Sequence, residues 1–238
     1  MHFLLTPSAV TSQAVAAAGA DAVTIDLEHG PIDFKDAQAM IASVMGTHTL
    51  PMIRVPSIDP VSVKRSLDLG AEGIVFPLAR NAADVSRAVS TLHYPPRGER
   101  GFGPFIAHSA HRFEIGSTIS YYEKNPPICC ILVETVEAVQ NIDEIADVDG
   151  VDIFQIAQFD LSTSLGVPGQ FDHPTFLNAE RKVEEAILRR GKPLGAVALT
   201  HARAQELRAR GYSMLVGFDV HWLKSSIQTA QTWVLPAQ

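Results

Sequence analysis

Short apolar runs alternate with amphipathic stretches along the chain. In the amphipathic stretches the apolar positions recur three or four residues apart. Phe34, Ala37, Ile41, Val44 and Met45 share one face, as do Ala82, Val85, Val89 and Leu92, and Phe176, Val183 and Ile187. That period predicts helices with one buried stripe. The apolar runs show no polar alternation, the pattern of strands buried on both faces of a parallel sheet. Eight are predicted, near Phe3–Leu5, Ala22–Ile25, Met52–Val55, Ile74–Phe76, Ile128–Val133, Ile153–Ile156, Leu194–Ala198 and Met214–Val216. The first has the least pattern behind it, and a seven-strand reading would give an open sheet.

The punctuation fits this alternation. In AAAGADAVTID, LDLGAEGIVFP, RRGKPLGAVAL and RARGYSMLVGF a glycine ends an amphipathic stretch and an apolar run follows at once. This is a helix stop leading into a buried strand. Asp59-Pro60 and Asp172-His173-Pro174 read as helix entries with an acidic cap and early proline. Asp33 with Asp36, and Asn81 with Asp84, place a cap residue before an acidic third position. Eight strands alternating with helices predict a TIM (β/α)₈ barrel, a single domain over residues 1–238. The alternation breaks once, at YPPRGERGFGPFIAHSAHRFEIG between Tyr94 and Ser117. A loop this long in a compact barrel is usually functional.

Composition narrows the function classes. Hydrophobic residues make up 46% and charged residues 19%, as in a globular domain. The net charge is -7 with no basic run, which argues against a nucleic-acid partner. The two cysteines, Cys129 and Cys130, are adjacent in an apolar run and read as buried, reduced residues of a cytoplasmic protein. Met1–Leu5 lacks the basic flank of a signal peptide, and no apolar run approaches the roughly 20 residues that span a bilayer. No membrane partner is expected.

The polar residues gather where strands give way to helices. The second strand ends in Asp26-Leu27-Glu28-His29-Gly30, the third in Arg54, the fifth in Glu134 before Thr135, and the sixth leads to Asp160. In a barrel this is the C-terminal mouth, where active sites are built. Glu134 and Asp160 offer oxygen ligands suited to Mg²⁺ or Mn²⁺, leaving positions for a chelating 2-oxo acid. The ion would polarise the keto oxygen. Arg54 would stabilise the oxyanion, and His29 would move the proton. Each residue also has a plain structural reading. Glu134 and Asp160 could cap helices, His29 could be structural, and Arg54 could form a surface ion pair. Asp26 and Glu28 alternate, so one should face inward and the other pack against a helix. No G-x-S-x-G elbow or P-loop occurs. RGERGFG is a weak phosphate signal with no helix behind it. His108 and His111 are expected to be solvated or at an interface.

IDLEHGP at Ile25–Pro31, RVPSIDP at Arg54–Pro60, LDLGAEGIVFPL at Leu67–Leu78, YPPRGERGFGP at Tyr94–Pro104, VETVEAV at Val133–Val139 and FDLSTSLG at Phe159–Gly166 together resemble the HpcH/HpaI aldolase family. The resemblance runs in order to LVGFD at Leu215–Asp219. It implies a class II, metal-dependent pyruvate aldolase, similar to 4-hydroxy-2-oxoheptanedioate and 2-dehydro-3-deoxyglucarate aldolases. Such an enzyme interconverts a 4-hydroxy-2-oxo acid with pyruvate and an aldehyde. By position, His29 is then the base, and Asp68 the carboxylate that raises its basicity. Arg54 is the oxyanion stabiliser, and Glu134 and Asp160 are ligands to Mg²⁺, Mn²⁺ or Co²⁺. Leu132, Gln158, Phe159 and Asp160 line the implied substrate site, with the Phe159 backbone N–H at the substrate carboxylate. The resemblance also implies a homohexamer, a trimer of dimers, with the last helix exchanged between neighbours.

The chain departs from the family pattern twice. Leu132 stands where the family has a substrate-touching glutamine, and Ala157-Gln158-Phe159 replaces G-P-x before the aspartate. Gln158 is the expected source of a replacement amide. Two other readings remain: a lyase or decarboxylase acting on another 2-oxo acid, and a barrel that binds such acids without turnover. Acyl-CoA lyase chemistry fits DLEHG less well.

Overall fold

The computed structural model describes residues 1–109, 111 and 114–234. Eight strands form it: β1 (His2–Leu4), β2 (Ala22–Asp26), β3 (Leu50–Arg54), β4 (Gly73–Phe76), β5 (Ile128–Val133), β6 (Ile153–Ile156), β7 (Leu194–Val197) and β8 (Met214–Phe218). Each pairs in parallel with its sequence neighbours, and β8 closes onto β1 through Phe3↔Phe218. The short first strand is therefore the one that shuts the barrel, and the open-sheet alternative falls.

The helices cover the barrel as α1 (Ala9–Ala17), α2 (Phe34–Val44), α3 (Pro60–Asp68), α4 (Ala82–Leu92), α5 (Ile115–Lys124), α6 (Val136–Gln140), α7 (Ile142–Ala146), α8 (Gln158–Ser164), α9 (Pro174–Leu188), α10 (His201–Ala209) and α11 (Asp219–Thr232). The predicted caps form: Asp33 accepts from the Lys35 and Asp36 N–H groups, Asp59 from Ser62 and Asn81 from Asp84. At α9 the cap is His173, whose Nδ1 accepts from Thr175, and not the acidic residue before it. Gly70 and Gly211, two of the predicted helix stops, have φ of 101° and 95°, where a side chain would be strained.

Alternate strand residues split between two cores. Val23, Ile25, Ile53, Ile74, Ile131, Val133, Phe154 and Ile156 point outward against the helices. Phe3, Ala22, Met52, Val75, Cys130, Leu132, Ala157, Val197 and Val216 fill the barrel. Both free cysteines are buried, one in each core. Because barrel strands tilt, inward residues of alternate strands share a height. The pairing register places Phe3, Arg54, Leu132 and Val197 in one layer. Thr24, Val75, Gln155 and Val216 form the layer beneath, and Asp26 and Ala157 belong to the layer above.

The long segment after α4 is more structured than its composition suggests. It holds a 3₁₀ turn at Ala107–Ser109 and leads into α5. Arg100 is buried there, its guanidinium over the Tyr94 ring at 4.8 Å and the Tyr122 ring at 5.3 Å. His108 is buried too, with Nε2 3.0 Å from the Tyr94 hydroxyl, so the solvated or interfacial reading of this histidine is corrected. His111 is exposed. No helix among the described residues is long and apolar enough to cross a membrane.

Candidate active site

Asp26 and Arg54 are register partners on β2 and β3, and both point into the barrel. Asp26 is fully buried and takes the Arg54 guanidinium in two hydrogen bonds, from Nε at 2.9 Å and from Nη2. The same carboxylate accepts the Glu28 and His29 N–H groups at 3.0 and 3.2 Å, which folds DLEHG back over the strand end. Glu28 Oε2 lies 3.2 Å from Arg54 Nη1. Both carboxylates thus meet the guanidinium, correcting the expectation that only one faced inward. Asp26 carries more of the site than the sequence reading gave it.

Arg54 is 7% exposed, with its guanidinium carbon 4.9 Å from the centre of the Phe3 ring. Burial alone would lower its pKa. The hydrogen-bonded Asp26 and the charges of Glu28 and Glu134 outweigh that and raise it. A guanidinium held by two carboxylates is fixed in plane and stays charged.

Glu134 directly follows β5 and is 3% exposed. One carboxylate oxygen accepts the Leu78 N–H, and Leu78 takes a left-handed φ of 59°, rare for a residue with a side chain. Burial pushes the Glu134 pKa up to about 7; the nearby Glu28 and Asp160 push the same way, while the Leu78 N–H and Arg54 oppose them. Burial likewise raises Glu28, against the pull of Arg54 and His29. The cap of α6 is Thr135, not Glu134. Asp160 is not a cap either: it lies in the first turn of α8, whose N-cap is Ala157. Its carboxylate is exposed and accepts no hydrogen bond among the described residues.

His29 stands on the rim. Its side chain is 56% exposed, with Nε2 3.8 Å from Glu28 Oε2. Asp68 does not join it: no ion pair links the two among the described residues. Asp68 Oδ1 lies 3.6 Å from Arg100 Nη2 and 3.6 Å from His108 Nδ1. The reason is topological. A helix after a barrel strand carries the chain from the C-terminal mouth back to the N-terminal rim. Asp68 ends α3, so within one chain it sits at the opposite end from His29.

Leu132 is fully buried in the Arg54 layer. Gln158 points to the side, into a cavity of about 360 Å³ that it lines with Phe159, Phe171, Val197, Leu199 and Arg203, and its buried Oε1 has no partner. Phe159 is half-exposed and packs edge-on against Phe171, with ring centres 5.7 Å apart.

Among the described residues no three His, Cys, Asp or Glu side chains form a metal cage by themselves. A cation here would need ligands from water or substrate besides Glu134 and Asp160. The donor set suits a hard ion: Glu134, Asp160 and Glu28 concentrate negative charge at the mouth, and each of the first two has a carboxylate oxygen without a protein partner.

Comparison with known proteins gives one answer. The family model described as HpcH/HpaI aldolase/citrate lyase matches residues 1–226. A 2-dehydro-3,6-dideoxy-6-sulfogluconate aldolase of Pseudomonas putida is 36% identical over 216 residues, covering 89% of this chain and 82% of its own. A hydroxypyruvate/pyruvate aldolase of Roseovarius nubinhibens is 32% identical over 93% of this chain and 87% of its own. The crystal structure of a HpcH/HpaI aldolase/citrate lyase family protein from Burkholderia cenocepacia superposes with a TM-score of 0.93 at 30% identity, covering 98% of this chain and 94% of that one.

Proposed function

The chain belongs to the HpcH/HpaI aldolase/citrate lyase family, and from that premise we propose that it is an aldolase for 4-hydroxy-2-oxo acids. It makes or breaks the carbon–carbon bond beside a pyruvate-type 2-oxo acid. The observation that carries this is the guanidinium of Arg54, fixed by Asp26 and Glu28 in the barrel mouth beside the buried Glu134. The names of the two relatives, both aldolases, support the same reaction class.

Glu134 and Asp160 would hold a divalent cation, Mg²⁺, Mn²⁺ or Co²⁺, which supplies Lewis acidity toward the keto oxygen. Arg54 gives the oxygen that gains charge a fixed cationic partner in a site largely closed to water. His29 exchanges the proton at the donor carbon with solvent; its exposed ring and the Glu28 carboxylate behind it suit that task. In synthesis the donor methyl loses a proton, its carbon bonds the aldehyde carbon, and the aldehyde oxygen gains a proton. Cleavage reverses these changes.

The expected homohexamer with an exchanged last helix is part of this proposal. Along α11 only Asp219 is buried, while Val220, Leu223 and Ile227 are exposed. An apolar cavity of about 580 Å³ beside it is lined by Val10, Ala14, Ala18, Trp222 and Leu223. Such a surface supports burial against a neighbouring copy.

The test is proton NMR of pyruvate in D₂O with and without Mg²⁺ or Mn²⁺. Metal-dependent loss of the methyl signal is the expected result. A folded protein that exchanges no 2-oxo acid with any of the three ions would remove the aldolase reading and favour a barrel that only binds.

A further inference from the structure

Gln155 is a buried polar residue that the mechanism above leaves without a task. It lies on β6 between Ile153 and Ala157, both of which face the barrel interior, so it faces inward as well. It is 3% exposed, and its Oε1 is completely buried without a hydrogen-bond partner. Leaving such an acceptor unmade costs roughly 1–3 kcal/mol, so unpaired buried amides are rare without a reason. Its register partner is Leu132, an apolar side chain in the layer of Arg54. Gln155 sits in the layer directly beneath, with Thr24, Val75 and Val216. Thr24, on β2 across the barrel, is also fully buried with an unpartnered hydroxyl oxygen.

We propose that Gln155 binds the 2-oxo acid from below, supplying from β6 the amide that Leu132 lacks on β5. Leu132 presents no hydrogen-bonding group to the floor of the Arg54 site, and the neighbouring strand presents an amide whose oxygen has nothing to bond. The two ends of an amide exchange when it turns over, so the unpartnered position can present N–H to the keto and carboxylate oxygens of such an acid, or the oxygen to an attached hydroxyl. The apolar walls around it strengthen the bond once a ligand fills the site. Thr24 faces the same space and completes a polar floor. This assignment rests on the 2-oxo acid reading of the site.

Calorimetric titration of pyruvate into the full-length protein in the presence of Mn²⁺ tests it, alongside proton exchange in D₂O. Gln155→Leu is expected to weaken pyruvate binding at least tenfold without lowering the melting temperature, since it removes an unpaired polar group from an apolar layer. Gln155→Met, of similar length, serves should the leucine variant not fold. The double variant Leu132→Gln/Gln155→Leu returns the amide to β5 and should recover most of the affinity. Unchanged pyruvate affinity in the folded single variant would overturn the assignment and leave Gln155 an unpaired amide of the barrel core. A parent that binds pyruvate through Gln155 but exchanges no protons would keep this assignment and remove the aldolase reading. A parent that binds no pyruvate would overturn both.

Discussion

Arg54 shows what one side chain does in this site and what a near relative could not do. Its planar fork reaches Asp26 with two nitrogens and Glu28 with a third. A lysine keeps the charge but cannot span both carboxylates, and its position would no longer be fixed. Arg54→Lys should therefore slow pyruvate proton exchange by about 100-fold or more while the protein stays folded. An Arg54→Lys enzyme as fast as the parent would rule out the oxyanion role. Glu134→Gln separates charge from shape. Mn²⁺ should raise the melting temperature of the parent and leave that of the variant unmoved; an equal rise in both would take Glu134 out of the ligand set. Arg54 and Glu134 were legible because they stand where strands end at one end of the barrel, and Asp160 because it opens the helix after another strand. Asp26 was harder to weigh, since alternation alone does not show that a turn lets Glu28 reach back to the same guanidinium. The role expected of Asp68 is not met within one chain: Gly70, read as a helix stop, puts Asp68 in the last turn of α3 and so at the far rim from the His29 of the same chain.

Elements were read most surely where burial dictates the pattern. The eight strands appear within two residues of their expected starts and ends because both faces of each are covered, and an uninterrupted apolar run has no other home. α5 was folded into the long loop because none of its residues is fully buried and the glycine- and proline-rich run before it hides where it starts. α11 poses the opposite problem. It is long, carries Val220, Leu223 and Ile227, and covers almost nothing within the chain. Solvent does not favour such a helix, and a neighbouring copy would. Leu223→Glu/Ile227→Glu should lower the molar mass seen by light scattering from that of a hexamer. An unchanged mass would show that assembly uses another face, and a monomeric parent would overturn the hexamer itself.

The molecule as a whole divides its polar groups between two ends of one barrel. The C-terminal mouth holds carboxylates around Arg54. The N-terminal rim holds His108, packed among Asp68 of α3, Arg100 and Tyr94 of the long segment and Tyr122 of α5. That second cluster fastens the segment to the barrel, so its protonation bears on global stability. Burial, aided by the Arg100 charge, lowers the His108 pKa to about 4. The unfolded chain binds this proton near pH 6.5, and the folded one does not until about pH 4. Stability from this group is thus complete above pH 6.5 and is lost as pH falls toward 4. Between pH 7 and pH 5 the loss is about 2 kcal/mol. Asp68 works the other way, because burial raises its pKa and the folded state takes up that proton more readily. His108→Gln isolates the histidine: urea unfolding of this variant should show a stability difference between pH 7 and pH 5 smaller than the parent's by about 2 kcal/mol. Equal pH dependence in the two would mean that His108 takes up its proton as readily in the folded protein as in the unfolded chain, and an enforced neutral ring would then not be what joins the long segment to the barrel.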